Sequence, residues 1–138
     1  MTLAAGMPTV IERWLHVVEG GADAAAVDEL LDGILDDAVV FYSPAVFAPQ
    51  RGKRLAAAYL RAAVQMFAST DFRYDETWFG PRSAVLAFSA TVDGLSVEGI
   101  DMIHWNENNK IVSVKVMIRP FKALQSVIGR MAGLLAPS

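Results

Sequence analysis

The hydrophobic pattern of the chain changes its period about halfway along the 138 residues. In the first half, apolar residues recur at the three- and four-residue spacing of amphipathic helices. The pattern predicts helices over residues 8–19, 23–31 and 53–67, with Pro8 and Asp23 as start signals. After Ser69-Thr70 the period falls to two, which is typical of strands with one buried face.

The alternating half predicts an antiparallel meander. Its strands are expected over residues 72–79, 84–92, 95–105 and 111–118. Asp93-Gly94 is the strongest hairpin signal between two of them. A short strand over 39–42 and a proline-containing loop over 43–52 precede the third helix, and a last helix starts at Pro120. Helices segregated from a meander indicate an α+β fold, with the helices covering one face of a twisted sheet.

The composition fits a globular chain with a large core. Hydrophobic residues make up 54% of the sequence and charged residues 20%, and no repeat or linker interrupts it. We therefore expect a single domain over residues 1–138. The formal net charge is -3, and the longest basic segment is 51–54, which disfavours a nucleic-acid or anionic-membrane surface.

Cysteine is absent and only His16 and His104 are present, so disulfides, thiol nucleophiles and histidine-based metal sites are not expected. We expect no cofactor. The N-terminal residues 1–7 lack a basic segment before a short apolar stretch, so they do not read as a signal peptide. No uninterrupted apolar run reaches the length of a membrane span. The sequence therefore predicts a cytoplasmic protein that does not enter a membrane.

Asp101 is the residue that stands out. In strand 95–105 it shares the apolar face with Val97, Ile103 and Trp105. An isolated carboxylate there is costly, so we expect it to be protonated, paired or hydrogen-bonded. Gly99, two residues earlier, is expected to leave open space on the same face.

Two interpretations of Asp101 stay open. It either accepts hydrogen bonds from a structural partner such as Trp14 or Tyr59, or it serves a binding pocket. Residues on facing elements would line that pocket. The candidates are Trp14, Tyr42, Tyr59, Phe88, Ala90, Gly99, Ile103, Val116 and Ile118.

The element order and three local segments resemble the nuclear transport factor 2-like superfamily. The segments are Asp36-Asp37-Ala38-Val39, Gly52-Lys53-Arg54 and residues 99–113 around Gly99-Ile100-Asp101-Met102-Ile103. The superfamily includes ketosteroid isomerases, SnoaL-like polyketide cyclases, scytalone dehydratase and limonene epoxide hydrolases. The resemblance implies a cone-shaped, curved antiparallel sheet, closed by N-terminal helices around an apolar pocket, plus a C-terminal helix.

The resemblance also implies roles for particular residues. Asp101 takes the place of the oxyanion-hole acid of ketosteroid isomerases, a carboxyl that an apolar site keeps neutral. The general base of those isomerases falls at Tyr42 or Ser43, and their hydrogen-bonding tyrosine falls at Trp14, so neither part carries over. SnoaL-like cyclases, which rely chiefly on one aspartate in an aromatic-lined pocket, are the closer analogy, with Trp14, Phe88 and Tyr42 around Asp101.

The leading hypothesis is a protein that binds a small apolar molecule of polyketide, terpenoid or steroid type. Asp101 would then act as a buried acid or hydrogen-bond donor in an isomerase, cyclase or dehydratase reaction. The alternative is a non-catalytic binding or assembly module with a vestigial pocket. We also expect a homodimer, because Ile100, Met102 and Met117 form an apolar patch on the outer face of the sheet.

Overall fold

The computed structural model describes residues 6–21 and 23–135, and the N-terminal segment in which no signal peptide was expected lies mostly outside them. The four helices within the described residues are α1 (Thr9–Gly20), α2 (Ala24–Ile34), α3 (Lys53–Ala68) and α4 (Phe121–Leu135). Asp23 caps α2 as predicted, because its side chain accepts a hydrogen bond of 3.1 Å from the Ala26 amide. None of these helices is long and apolar enough to cross a membrane.

A six-stranded sheet lies beneath the helices. Its strands are β1 (Leu35–Tyr42), β2 (Gln50–Arg51), β3 (Arg73–Gly80), β4 (Ser83–Val92), β5 (Leu95–Trp105) and β6 (Ile111–Arg119). They are ordered β2-β1-β6-β5-β4-β3, so β2 and β3 are edges and the sheet is not closed into a barrel. The predicted α+β fold and the antiparallel meander from β3 to β6 are confirmed.

The sheet differs from the prediction in being mixed. Strand β1 runs parallel to β6, with Phe41 beside Val114 and Tyr42 beside Lys115. The parallel pair arises because α3 and the meander separate β1 from β6, and β6 re-enters the sheet in the same direction as β1. A local alternation pattern carries no information about the neighbour of a strand so distant in sequence.

The start of β1 also differs from the prediction. The strand begins at Leu35, four residues before the start predicted at residue 39. Asp36 behaves locally as a turn residue, because its carboxylate accepts a 3.0 Å hydrogen bond from the Ala38 amide. The strand nevertheless continues through a register shift, with Leu35 paired to Ile111. Strand β2 was not predicted either, since it lies at the end of the 43–52 loop.

The buried side chains form two clusters on the inner face of the sheet. One lies beneath α1, α2 and α3 and includes Trp14 and Leu86. The other lies beneath α4 and the end of α3 and includes Phe88 and Val127. Tyr74 and Val116 are half-buried and pack against both clusters. Polar groups placed between the clusters therefore lie next to apolar surface on both sides.

Gly99 does not leave the open space that the sequence suggested. A Cβ built on Gly99 would lie 2.3 Å from Phe88 Cζ and 2.8 Å from the Met117 carbonyl oxygen. The ring of Phe88, which is paired with Gly99 across β4 and β5, occupies the space instead. Gly99 is thus required by close packing with its neighbours.

We predict that Gly99→Ala lowers the free energy of unfolding by about 1–3 kcal/mol, because the added methyl group must displace an aromatic ring and backbone. Urea denaturation measures the change. Gly129→Ala is the control, since a Cβ there meets nothing within 4 Å. The control should raise stability by about 1 kcal/mol in the helix interior. Equal stability of wild type and Gly99→Ala would contradict the close packing.

Candidate functional site

Asp101 lies on the inner face of β5 and is 7% exposed. Among the described residues it is the one buried side chain that is polar or charged. Its neighbours in the sheet are Leu86 on β4 and Val116 on β6, which are both apolar. The alternation of β5 therefore places a carboxyl group where the surrounding strands offer it no polar partner.

The partner of Asp101 is Tyr74 on β3. The Tyr74 hydroxyl donates a hydrogen bond of 2.6 Å to Asp101 Oδ2. Trp14 Nε1 on α1 in turn donates to the Tyr74 hydroxyl at 3.0 Å. The two partners considered from the sequence were Trp14 and Tyr59, and neither contacts Asp101 by a hydrogen bond. Trp14 acts one step removed, and Tyr59 stacks on Phe41 with ring centroids 5.3 Å apart.

Tyr74 was not among the site residues predicted from the sequence. Strand β3 alternates, and Tyr74 pairs with the inward-facing Phe88. A register shift follows between Tyr74 and Glu76. Only knowledge of this pairing identifies Tyr74 as an inner-face residue near Asp101.

Burial raises the pKa of Asp101 to about 6, and the hydrogen bond from Tyr74 limits that rise. The pKa of Tyr74 is raised well above its ordinary value, first by burial and then by the adjacent Asp101 carboxylate. Tyr74 therefore stays protonated and acts as the donor. Asp101 is largely ionised at pH 7 and largely neutral at pH 5, so it changes charge close to neutrality.

The second carboxyl oxygen of Asp101 faces open space. Oδ1 has no hydrogen-bond partner among the described residues, and no fully buried polar side-chain atom there lacks a partner. Asp101 also lies in the wall of a large cavity, which accounts for the exposure of Oδ1. One oxygen is thus held by the protein while the other is free to meet a molecule in the cavity.

The cavity has a volume of about 530 Å³ and is enclosed by α1, α3, α4 and the inner face of the sheet. Apolar side chains form most of the wall. Around Phe88 the aromatic rings of Phe67, Phe72 and Tyr74 contact one another with centroids 4.9–6.4 Å apart. A cavity of this size, lined by apolar surface with few polar groups, is typical of small-molecule sites.

Six of the predicted site residues lie in the wall of this cavity. They are Trp14, Tyr59, Phe88, Asp101, Val116 and Ile118. Their placement brings together residues from α1, α3, β4, β5 and β6. Ligand binding by them stays a prediction.

Four other predicted residues lie outside the cavity wall. Tyr42 is on the outer face of the sheet, where Lys115 Nζ lies 4.9 Å from the centre of its ring. Ile103 is fully buried in the first cluster, and Ala90 is buried on β4, where it pairs with Val97. The space over Gly99 is filled by Phe88. A strand residue that points to the inner face therefore does not necessarily line the cavity, because packed side chains fill part of that face.

The loop that follows β1 and the helix α4 also contribute side chains to the cavity wall. Pro44 and Val46 contribute from the loop, and Ile128 and Met131 contribute from the helix. Phe47 follows Val46 and is 93% exposed. This part of the wall is therefore mostly apolar like the rest, which suits a ligand with little charge.

The other polar wall residues lie apart from Asp101. Glu19 is an exposed residue near the end of α1. The Thr70 hydroxyl donates to the Phe67 carbonyl at 2.7 Å, and Ser43 Oγ accepts from the Ala45 amide at 3.0 Å. Among residues 6–21 and 23–135, no group of three or more His, Cys, Asp or Glu side chains is placed to hold a metal ion.

Comparison with known sequences is uninformative: no family model matches the chain, and no curated protein matches it. Comparison with solved structures gives clear similarities. A steroid delta-isomerase from Pseudomonas aeruginosa is 28% identical with a TM-score of 0.81, over 98% of this chain and 95% of that protein. An uncharacterised bacterial protein with a cystatin-like fold from Silicibacter pomeroyi is 27% identical with a TM-score of 0.81, over 94% and 86%.

A more distant match shows how widely the architecture is shared. A proposed SnoaL-like polyketide cyclase from a Jannaschia species has a TM-score of 0.65 over the full length of both chains, at 12% identity. Similarity at that identity concerns the fold alone. Together with the two more similar structures and the mixed sheet beneath four helices, it identifies the architecture. The fold of the chain is the α+β cone of the nuclear transport factor 2-like superfamily, which it shares with these solved structures.

Proposed function

We propose that this protein binds a small apolar molecule bearing a carbonyl or hydroxyl group and that Asp101 transfers a proton on it. The reaction would be an isomerisation, cyclisation or dehydration. The observation that carries the proposal is the position of Asp101: a carboxylate in the wall of an apolar cavity, with one oxygen held by Tyr74 and the other free. A folded chain has no structural need for a carboxylate with an unpaired oxygen at such a place.

The pKa of Asp101 suits this role. General acid–base catalysis is most efficient when the catalytic group has a pKa near the working pH. A value of about 6 makes Asp101 a carboxylate at neutral pH, so it would act first as a base and then, once protonated, as an acid. This differs from the neutral, donating acid that the resemblance to ketosteroid isomerases implies for the same position.

The residues in place of the isomerase's other catalytic groups support a mechanism based on Asp101 alone. Tyr42 lies on the outer face of the sheet, and the Ser43 hydroxyl oxygen accepts a hydrogen bond from the Ala45 amide of its own loop. The Trp14 N–H donates its hydrogen bond to Tyr74. Among the described wall residues, Glu19 is the other carboxylate, and it is exposed. One group would therefore both remove and return the proton.

The similarity to a protein named as a steroid delta-isomerase supports the isomerase class. It supports a fused-ring ketone as one candidate substrate beside polyketide- and terpenoid-like compounds. The cavity volume of about 530 Å³ accommodates any of these. Binding would be driven chiefly by burial of the apolar surface of the ligand.

We predict that Asp101→Asn lowers turnover of any substrate found by at least about 100-fold, because the amide cannot take up a proton. A panel of unsaturated ketones, phenols and small lactones would be assayed for binding and turnover. For the wild type, kcat/KM should rise with pH through about 6, where Asp101 loses its proton.

Glu98→Gln is the matched control, since Glu98 is on the same strand but on the outer face, paired with Arg119. Its turnover should equal that of the wild type. Full turnover by Asp101→Asn would remove Asp101 from the mechanism. Saturable binding without turnover of any compound would favour a non-catalytic binding protein, and no binding at all would favour an assembly module.

We further propose that the protein forms a homodimer through the outer face of the sheet. Ile100 and Met102 are half-buried there, Met117 is 48% exposed, and Trp78 at 51% exposure extends the patch across β3. Glu98 and Arg119 form an ion pair beside it. An apolar patch with a charged border is the usual composition of such an interface.

The cytoplasmic location stays a prediction.

We predict that Met117→Glu converts a dimer into a monomer, because it places a charge in the patch. Sedimentation velocity over a hundredfold range of concentration measures the state. Leu134→Glu is the control, as Leu134 on α4 has nearly the same exposure, 47%. A wild type that stays monomeric, or a Met117→Glu variant that stays dimeric, would contradict the proposal.

A further inference from the structure

The hydrogen-bonded chain from Trp14 through Tyr74 to Asp101 is not explained by the proposed function alone. A proton-transferring carboxylate needs one free oxygen and a suitable pKa, and an apolar wall supplies neither control of orientation nor stabilisation of charge. Tyr74 contacts Asp101 directly at 2.6 Å, whereas Trp14 contacts only Tyr74. Each hydrogen bond is therefore donated in the same direction, from the indole to the phenol and from the phenol to the carboxyl group.

We propose that Tyr74 is a positioning residue that holds Asp101 Oδ2 and so presents Oδ1 to the molecule in the cavity while keeping the carboxyl group ionised. The inference rests on the proposed role of Asp101 as the acid–base group.

Trp14 determines which way the Tyr74 hydroxyl points. An indole N–H can only donate, so the tyrosine oxygen must accept from Trp14. The single hydroxyl hydrogen is then directed to the remaining partner, the carboxylate. A hydrogen bond from a neutral donor to a charged acceptor is short and strong, as this one is. Trp14 therefore supports Asp101 indirectly by fixing the donor.

No other group near Asp101 provides this support in the described part of the chain. On α1, the exposed Glu19 lies in the cavity wall. On α3, Tyr59 lies in the wall and stacks on Phe41. The wall side chains from β4, β6 and α4 are apolar. Arg130 on α4 lies outside the cavity wall and is paired with Asp93 at the turn between β4 and β5. Tyr74 alone therefore opposes the effect of burial on the carboxyl group.

The substitution Tyr74→Phe tests this with little structural change. It removes one oxygen and keeps the ring, which packs edge-on against Phe72 at 5.1 Å and Phe88 at 6.4 Å. The pKa of Asp101 would be measured by following its carboxyl carbon with NMR in protein labelled at aspartate. This readout requires no substrate, so it is independent of the proposed reaction.

We expect the pKa of Asp101 in Tyr74→Phe to rise above the wild-type value of about 6 by one unit or more, because the donor to the charged form is lost and burial remains. Trp14→Phe should shift the pKa in the same direction by less. Tyr59→Phe, which removes a hydroxyl from the same cavity wall without a bond to Asp101, should leave the pKa unchanged. Equal pKa values in wild type and Tyr74→Phe would overturn the inference.

A second variant guards against a loss of folding. Replacing Tyr74 by 3-fluorotyrosine makes the hydroxyl a stronger donor with almost no change in size, and it should lower the pKa of Asp101. An unchanged or raised pKa would count against the inference.

Activity provides the final readout once a substrate is known. The acidic limb of kcat/KM should move to higher pH in Tyr74→Phe by the same amount as the NMR pKa, with kcat reduced more than KM is changed. A purely structural role would move neither. If the pKa shifts while Asp101→Asn keeps full turnover, the proposed function fails and the electrostatic role of Tyr74 remains.

Discussion

The hydrogen bond between Tyr74 and Asp101 is the interaction on which the rest of the site depends. Burial on the inner face of β5 disfavours the charged carboxyl group, and among the described residues no Lys, Arg or His side chain lines the cavity to compensate. One phenolic proton, oriented by Trp14, keeps the charged form accessible near neutral pH. Because the bond uses only Oδ2, the same interaction that makes the carboxylate tolerable also leaves its other oxygen facing the cavity.

The fold supplies this arrangement through the order of its strands. Asp101 lies on β5, flanked by β4 and β6, while Tyr74 reaches it from the edge strand β3 and Trp14 from α1. The two apolar clusters meet at Tyr74 and Val116, and the cavity opens beside them. Close packing and the cavity lie side by side on the inner face: the ring of Phe88 fills the space over Gly99 and also lines the cavity, whereas the region around Asp101 remains open.

Local patterns were sufficient for much of this description. The alternation of β5 identified Asp101 as an inward carboxyl group, and the spacing of turns identified the meander. Tyr74 was missed because its importance comes from a pairing between strands and a contact 27 residues away in sequence. For the same reason, the parallel neighbour of β1 and the filling of the space over Gly99 by Phe88 were not predicted. Each depends on tertiary contacts that no single segment encodes.

We propose that Asp101 is held as a buried carboxylate at a cost to folding, and the pH dependence of stability tests this most directly. The folded-state pKa of about 6 lies above the ordinary value of 3.8, so the folded protein binds the proton more tightly than the unfolded chain. As the pH rises from 4 to 6, the free energy of unfolding of the wild type should therefore fall by about 3 kcal/mol relative to that of Asp101→Asn. Above pH 6 the difference should stay constant. The free energies of unfolding of the two proteins would be compared from pH 4 to pH 8. A difference that is independent of pH, or one that favours the wild type at pH 8, would contradict the account.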